Sequence, residues 1–399
     1  MNLLHPPMGW NSWDCFGASV TEREVLENAL FIANNLKKYG WEYVVVDIQW
    51  FEPAAKSNEY NEGAELVMDE YSRLMPAENR FPSAANGQGF KPLADYIHSL
   101  GLKFGIHILR GIPRQAVRNK TAVMGTDVTA DMIADTDSVC GWNHDMYGVD
   151  CTKIEGQLYY DSLFKLYAQW GVDFVKVDDI SRPYHREEIE AVSSAIKNSG
   201  RDMVLSLSPG NTPLDAATHV REHANMWRIS DDFWDSWKSV IEMFDLCRDW
   251  AQYTGGGAYA DCDMLPLGRI GIRSAGGARN TNFTYDEERT VISLWSIMGS
   301  PLMFGGHLPE TDIKTIELIT NERIIEMCMT SRNPREVSNS EGLRIFVAEP
   351  GYYGVFNVSD NAIEYTPECG GIDLWTGKTV QKSTIPPHGV LVFKSNSTK

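Results

Sequence analysis

No stretch of the 399-residue chain approaches the roughly 18 consecutive apolar residues that a membrane-spanning helix requires. Positive charge is scarce as well. Only 36 lysines and arginines stand against 54 acids, the net charge is −18, and no basic run concentrates what is there. That balance excludes nucleic acid and anionic membrane surfaces as partners. Cysteine is sparse and unpatterned: seven residues without a CxxC pair read as mostly free thiols in a reducing compartment. The opening MNLLHPPMGWNSW has neither a basic n-region nor an apolar h-region, so a cytoplasmic protein is expected. A nucleotide fingerprint is missing too, because Gly87-Gln-Gly89 and Gly255–Gly257 lack the strand–turn–helix setting it needs. With 43% apolar and 23% charged residues, disorder and fibrous architecture are excluded. The length suits two or three domains, or one large domain and a small one.

What is present is a repeated helix–glycine–strand grammar. Thr21 to Glu24 reads as a capping box, and Val25, Leu26, Ala29, Leu30, Ile32, Ala33 and Leu36 form an apolar helical face. Gly40 then occupies a left-handed helix end before the buried strand Tyr43–Asp47. The pattern recurs at Gly101 before Lys103–His107, at Gly171 before Phe174–Asp178, and at Gly200 before Met203–Ser208. Met8–Trp13, Asn225–Ser230, Tyr259–Met264 and Leu302–Gly306 complete a set of eight strands. The expected fold is α/β, a (β/α)8 TIM barrel over residues 1–331. After a helix near Asp312–Thr330 the texture turns to short alternating runs such as Leu343–Ala348, Tyr352–Val358, Ile372–Trp375 and Gly389–Phe393. These predict a small antiparallel β-sandwich domain over 332–399 that docks on the barrel.

In such a barrel, catalytic groups stand at the C-terminal strand ends. Acids fall there repeatedly: Asp47, the Asp178-Asp179 and Asp231-Asp232 pairs, and Asp263. Lys176 lies two residues before Asp178, and Arg228 lies four before Asp232. A nucleophilic carboxylate must stay ionised, which a nearby cation favours, whereas a general acid needs apolar or anionic surroundings. Two carboxyls at short separation give a retaining glycosidase, and a wider gap gives an inverting one. Trp10, Trp13, Trp50, Trp227 and Trp234, near strand ends, could stack on a sugar ring or simply fill the core.

Met8-Gly-Trp-Asn-Ser-Trp13, Phe174-Val-Lys-Val-Asp178, Trp227-Arg-Ile-Ser-Asp-Asp232, Asp261-Cys-Asp-Met-Leu265 and Leu294–Leu302 resemble the motifs of family 27 glycoside hydrolases, in the family's order. These are the α-galactosidases, α-N-acetylgalactosaminidases and β-L-arabinopyranosidases. The resemblance implies Asp178 as nucleophile and Asp232 as acid/base in a double displacement without cofactor or metal. It implies Lys176, Arg228, Trp10, Asp47, Asp263 and Met264 as sugar contacts, and Asp179 and Asp231 as bystanders. Three departures bear on specificity. Ile48 follows Asp47 where the family typically has a second aspartate that clamps galactose hydroxyls. His107 replaces a common tyrosine, and the loop Ser206–Asn211, with Ser208, matches neither the galactose nor the N-acetylgalactosamine version. Ile48 offers no acceptor to an exocyclic hydroxymethyl group, so terminal β-L-arabinopyranosides rank above α-D-galactosides. Plain α-galactosidase or α-N-acetylgalactosaminidase activity is the alternative. The expected partner is an oligosaccharide or small glycoside, and a homo-oligomer is left open.

One motif belongs to another reaction class. His219-Val-Arg-Glu-His223 fits the H-x-x-E-H zinc-peptidase pattern through His219, Glu222 and His223. It falls on an outer helix with no evident third ligand, so the expectation is an ordinary histidine pair without metal. A sugar-binding protein that has lost activity is disfavoured, because both acids and their cationic neighbours are present.

Overall fold

The structure, a computed structural model, describes residues 3–208 and 210–396. Eight parallel strands follow the chain: β1 (Met8–Asn11), β2 (Tyr43–Val46), β3 (Lys103–Leu109) and β4 (Phe174–Asp178), then β5 (Val204–Leu207), β6 (Met226–Arg228), β7 (Tyr259–Asp261) and β8 (Leu302–Phe304). Each neighbours the next in sequence up to β7, and β1 also pairs with β8. The ring closes just past β7, where Leu265 bridges Phe304. There Leu265 N–H donates to the Met303 carbonyl at 2.7 Å and Gly305 N–H to the Leu265 carbonyl at 2.9 Å. The barrel is thus the (β/α)8 fold that the strand grammar predicts.

Alternation sorts the strand residues into two layers. Tyr43, Val45, Phe174, Val204, Met226, Tyr259 and Met303 form an inner cluster, while Val44, Val46, Phe104, Ile106, Val175 and Val177 join the larger core beneath the helices. Glycine is required at one inward position: a Cβ on Gly9 would lie 2.3 Å from the Tyr43 carbonyl oxygen. Several strands are shorter than read from sequence at their C-terminal ends, β1 stopping at Asn11, β2 at Val46, β6 at Arg228 and β7 at Asp261.

The outer layer comprises α1 (Glu22–Phe31), α2 (Lys91–Ser99), α3 (Ile154–Trp170), α4 (Arg186–Ser199), α5 (Ala217–His223), α6 (Trp237–Trp250) and α7 (Tyr285–Met298). The capping box at Thr21 forms, with its N–H donating to Glu24 Oε2 at 2.9 Å. Helix α1 then loosens into a π turn and a 3-10 turn before Gly40 at φ 95°. The helix expected over Asp312–Thr330 is two, α8 (Ile313–Ile319) and α9 (Glu322–Thr330). Asn321 breaks it by accepting from the Arg323 and Ile324 amides.

A five-stranded antiparallel sheet follows, with β9 (Arg332–Ser340), β10 (Leu343–Glu349), β11 (Tyr352–Asn357), β12 (Gly371–Asp373) and β13 (Val390–Ser395) in the order β9-β10-β11-β13-β12. The ladder of Ile363–Tyr365 with Ser383–Ile385 covers its outer face through Val355, Ile385, Leu391 and Phe393. Strand β9 escaped the sequence reading because it is a polar edge strand that carries Pro334 and shows no apolar alternation. The inner face docks on α6, where Phe244 meets Phe356 at a ring separation of 5.1 Å and Asp245 pairs with Arg344 at 2.9 Å.

Among the described residues no helix is long and apolar enough to cross a membrane. All seven cysteines are unbridged, Cys247 and Cys262 lying with their sulfurs 3.6 Å apart.

Candidate active site

A cavity of about 410 Å³ opens at the C-terminal ends of the barrel strands. Its floor is a buried ion pair. Asp47, one residue past β2, accepts from Lys176 Nζ at 2.9 Å and from Asn11 Nδ2 at 2.8 Å through Oδ2. Its Oδ1 accepts the Ile48 amide at 2.9 Å. Burial alone would raise the Asp47 pKa, but Lys176, His107 and these hydrogen bonds outweigh it and hold the carboxyl at about 2. Burial likewise disfavours the Lys176 ammonium, yet Asp47 and Asp178 together raise its pKa. Both partners are charged at neutral pH.

Asp178 ends β4 and is almost wholly buried. Its Oδ1 accepts the Asp179 amide at 2.7 Å. Its Oδ2 faces His107 Nε2 at 2.9 Å and, at 3.4 Å, the Ser208 hydroxyl. His107 Nδ1 has no partner among the described residues, so the hydrogen facing the carboxylate sits on Nε2. Asp179 takes a left-handed backbone at φ 57° and turns away to Arg110, 3.0 Å off. Burial lifts its pKa to about 6 against the pull of that arginine.

Asp232 stands at the mouth with a side chain 58% exposed, held by Arg228 Nη2 at 3.2 Å. Arg228 Nη1 reaches Asp263 at 2.8 Å, and Asp263 in turn accepts the Phe233 amide at 2.7 Å, tying the loop after β6 to the end of β7. Burial raises Asp263, with Arg228 opposing and Asp232 adding to the rise. Asp261 behind it is pushed to about 7, by burial first and Asp263 second. Asp231 is diverted to an exposed pair with Arg182 at 2.8 Å.

The fold brings Asp47, Ile48, Lys176, Asp178, Arg228, Asp232, Asp263 and Met264 into one cavity wall, with His107 and Ser208 directly behind Asp178. Ile48 is 2% exposed and belongs to the hydrophobic core, and it borders the cavity beside Asp47. Within the Ser206–Asn211 loop, Pro209 lies outside the described residues. Trp10 is a correction. Strand alternation turns it outward, where its indole donates to the Gly306 carbonyl at 2.8 Å and it is fully buried away from the cavity. Trp50 and Trp227 are core residues as well, whereas Trp13 and Trp234 line the cavity.

Sequence reasoning missed four participants. Asn11 was legible from strand parity, being on the inward face opposite Trp10. Asp14 lines the cavity from the short helical turn after β1, raised well above an ordinary carboxyl by burial and then by Asp263. Tyr60 and Trp142 come from the long excursions after β2 and β3. Tyr60 stacks on Trp13 at 6.3 Å and meets Trp142 at 5.6 Å, and no local pattern announced either.

The His219–His223 pair sits on α5, outside the cavity lining. The sequence offers it no third ligand, but the fold supplies Glu190 from α4.

Comparison with known proteins bears on the whole chain. The family model described as "Alpha galactosidase A" matches residues 5–135 and 112–329. A GH27 β-L-arabinopyranosidase from Geobacillus stearothermophilus, solved with arabinose, is 51% identical and superposes with a TM-score of 0.95, covering 99% of this chain and 98% of that one. The α-galactosidase of Coffea arabica is 31% identical over 327 residues, 81% of this chain and 69% of that protein. "Alpha-galactosidase 2" of Arabidopsis thaliana is 28% identical over 81% of this chain, which spans only 66% of that protein's length.

The floor pair sets an acid limit. The Asp47 carboxyl lies near 2 when folded, against about 3.9 in an unfolded chain, so its contribution is complete above pH 4 and is lost as pH falls towards 2. About 2–3 kcal/mol is at stake. Urea unfolding between pH 5 and 2.5 should therefore show a steeper loss of stability for the wild type than for Asp47→Asn. Parallel curves would refute the depressed pKa.

Proposed function

The chain belongs to glycoside hydrolase family 27, and on that premise we propose that it is a retaining exo-glycosidase that releases terminal β-L-arabinopyranose. The observation that carries the chemistry is the division of labour between two carboxyls in one cavity. Asp178 is immobilised at depth by hydrogen bonds to both oxygens, while Asp232 stands at the solvent-facing mouth. Asp178 attacks C1 of the bound sugar as Asp232 protonates the departing glycosidic oxygen, leaving a glycosyl–Asp178 ester. Asp232 then takes a proton from water, which attacks C1 and frees Asp178. The leaving group departs and water arrives on the open side, where Asp232 is. His107 and Ser208 aim the nucleophile. Asp47 and Lys176 offer ring hydroxyls an acceptor and a donor, and Arg228 holds Asp232 in reach.

Substrate choice rests on Ile48. β-L-Arabinopyranose has the ring stereochemistry of α-D-galactose without the exocyclic CH2OH. A hydroxymethyl group packed against Ile48 would bury a hydroxyl without an acceptor, at about 1–3 kcal/mol, whereas a bare ring methylene packs well on the same surface. The arabinopyranosidase relative supports this reading, and the curated relatives named α-galactosidases supply the alternative.

Three outcomes test the proposal. Asp178→Gly should lose several orders of magnitude in kcat while remaining folded, and azide should partly restore turnover, giving a glycosyl azide of inverted configuration. Near wild-type turnover in that variant would remove Asp178 from the role. Asp232→Ala should be mildly impaired on a dinitrophenyl glycoside and severely impaired on a glycoside with a sugar leaving group, because only the latter needs protonation. Equal losses on both would reassign the acid. Finally, Ile48→Asp should raise kcat/KM on p-nitrophenyl α-galactoside and lower it on the β-L-arabinopyranoside, by about 5- to 150-fold each. A wild type that already prefers the galactoside tenfold would be an α-galactosidase instead.

A further inference from the structure

Away from the barrel mouth, α4 and α5 bring together three groups of metal-binding type that the glycosidase chemistry does not use. Glu190, His219 and His223 each present a ligand atom within 4.8 Å of the others. The two histidines are one helical turn apart on α5, with ring centroids 4.4 Å from each other. His219 is oriented from both sides: the Tyr184 hydroxyl meets its Nδ1, and Nε2 faces Glu190 Oε1 at 3.1 Å. This is the arrangement of a metal-ligating imidazole, in which an outer partner on one nitrogen fixes the ring and directs the other at the ion.

Hydrogen bonding within the cluster can satisfy Tyr184, His219 and Glu190, but it leaves one atom over. His223 Nδ1 is buried and has no partner among the described residues. An orphaned imidazole nitrogen beside a second imidazole and a carboxylate matches the appetite of a borderline divalent cation for nitrogen and oxygen donors. We propose that Glu190, His219 and His223 form a binding site for a divalent transition metal of the zinc type, with water completing a four-coordinate shell. Bonds of about 2.0–2.1 Å bring tetrahedral ligands to about 3.4 Å from one another, so the cluster must tighten by roughly an ångström. Glu190 can supply that movement. Its side chain is 47% exposed, and its other ion pair, to Arg186 at 3.9 Å, is long and weak. The site shares no residue with the cavity lining, so occupancy is independent of sugar binding and of the proposed reaction.

Titration of the chelator-stripped full chain with zinc, followed by calorimetry, tests this directly. One equivalent should bind, and cobalt(II) should give the intense visible bands of four-coordinate nitrogen–oxygen ligation. Glu190→Gln and His223→Ala should each weaken zinc binding by about 100-fold or more, at least the effect of losing an outer-layer partner. His144→Ala, at an exposed histidine, should bind as the wild type does. Glycosidase turnover in the two ligand variants should stay within twofold of wild type, which certifies that they are folded. Absence of stoichiometric zinc uptake, or unchanged affinity in folded Glu190→Gln and His223→Ala, would overturn the site and leave a hydrogen-bonded triad only.

Discussion

The cavity holds more carboxyls than it can ionise together. Asp14, Asp47, Asp178, Asp232 and Asp263, with Asp261 just behind them, crowd around Lys176 and Arg228. In a low-dielectric site an uncompensated buried charge is expensive, so burial raises these acids and a nearby cation opposes the rise, outweighing it at Asp47 but not at Asp263. Asp47 takes Lys176 and becomes a strong acid, while Asp232 and Asp263 share Arg228. Asp14 and Asp261 have neither cation as a direct partner, and their pKa values rise. Burial and the two cations together set the electrostatics of the site, and both cations stand on barrel strands that hold them in place.

The second consequence concerns the loop that carries Asp232. It leaves β6 and runs to α6 through Phe233, Trp234 and Asp235. Asp263 pins its beginning, and Asp235 pins its end by a double contact with Arg279 at 2.7 and 2.8 Å. The first residue of α6, Trp237, stacks at 3.8 Å on His388 of the antiparallel sheet domain, and His388 also pairs with Glu287 on α7. The appended sheet therefore buttresses the loop that carries the solvent-facing Asp232. A small β-domain far from the sugar has a reason to be packed tightly rather than tethered.

Much of this was legible in the chain because barrel strands and catalytic acids are encoded locally: an apolar run, then a polar residue where the run stops. The eight strands, Asp47, Asp178, Asp232, Asp263 and their cations follow from that rule and from the family motifs they sit in. The failures have equally physical causes. Trp10 was carried over from the family motif it sits in, although strand parity turns it outward and Asn11 inward. Asp14, Tyr60 and Trp142 sit on turns and excursions whose conformation depends on distant packing, so no period betrays them. Glu190 and His223 approach one another only because α4 and α5 are adjacent in the ring, a relation no five-residue pattern contains.

The floor and the rim of the cavity are built from different kinds of chain. Asp47, Lys176 and Asp178 belong to strands or their immediate ends. Tyr60 and Trp142 ride on the excursions after β2 and β3, the latter stiffened by its own three-stranded sheet. On the proposed reading, the glycone would be read by the part of the molecule least free to vary, and the aglycone would meet the part that tolerates insertion and replacement. Such a division lets a lineage explore new leaving groups by exchanging two loops while its chemistry stays untouched, a modular route to diversification within one barrel.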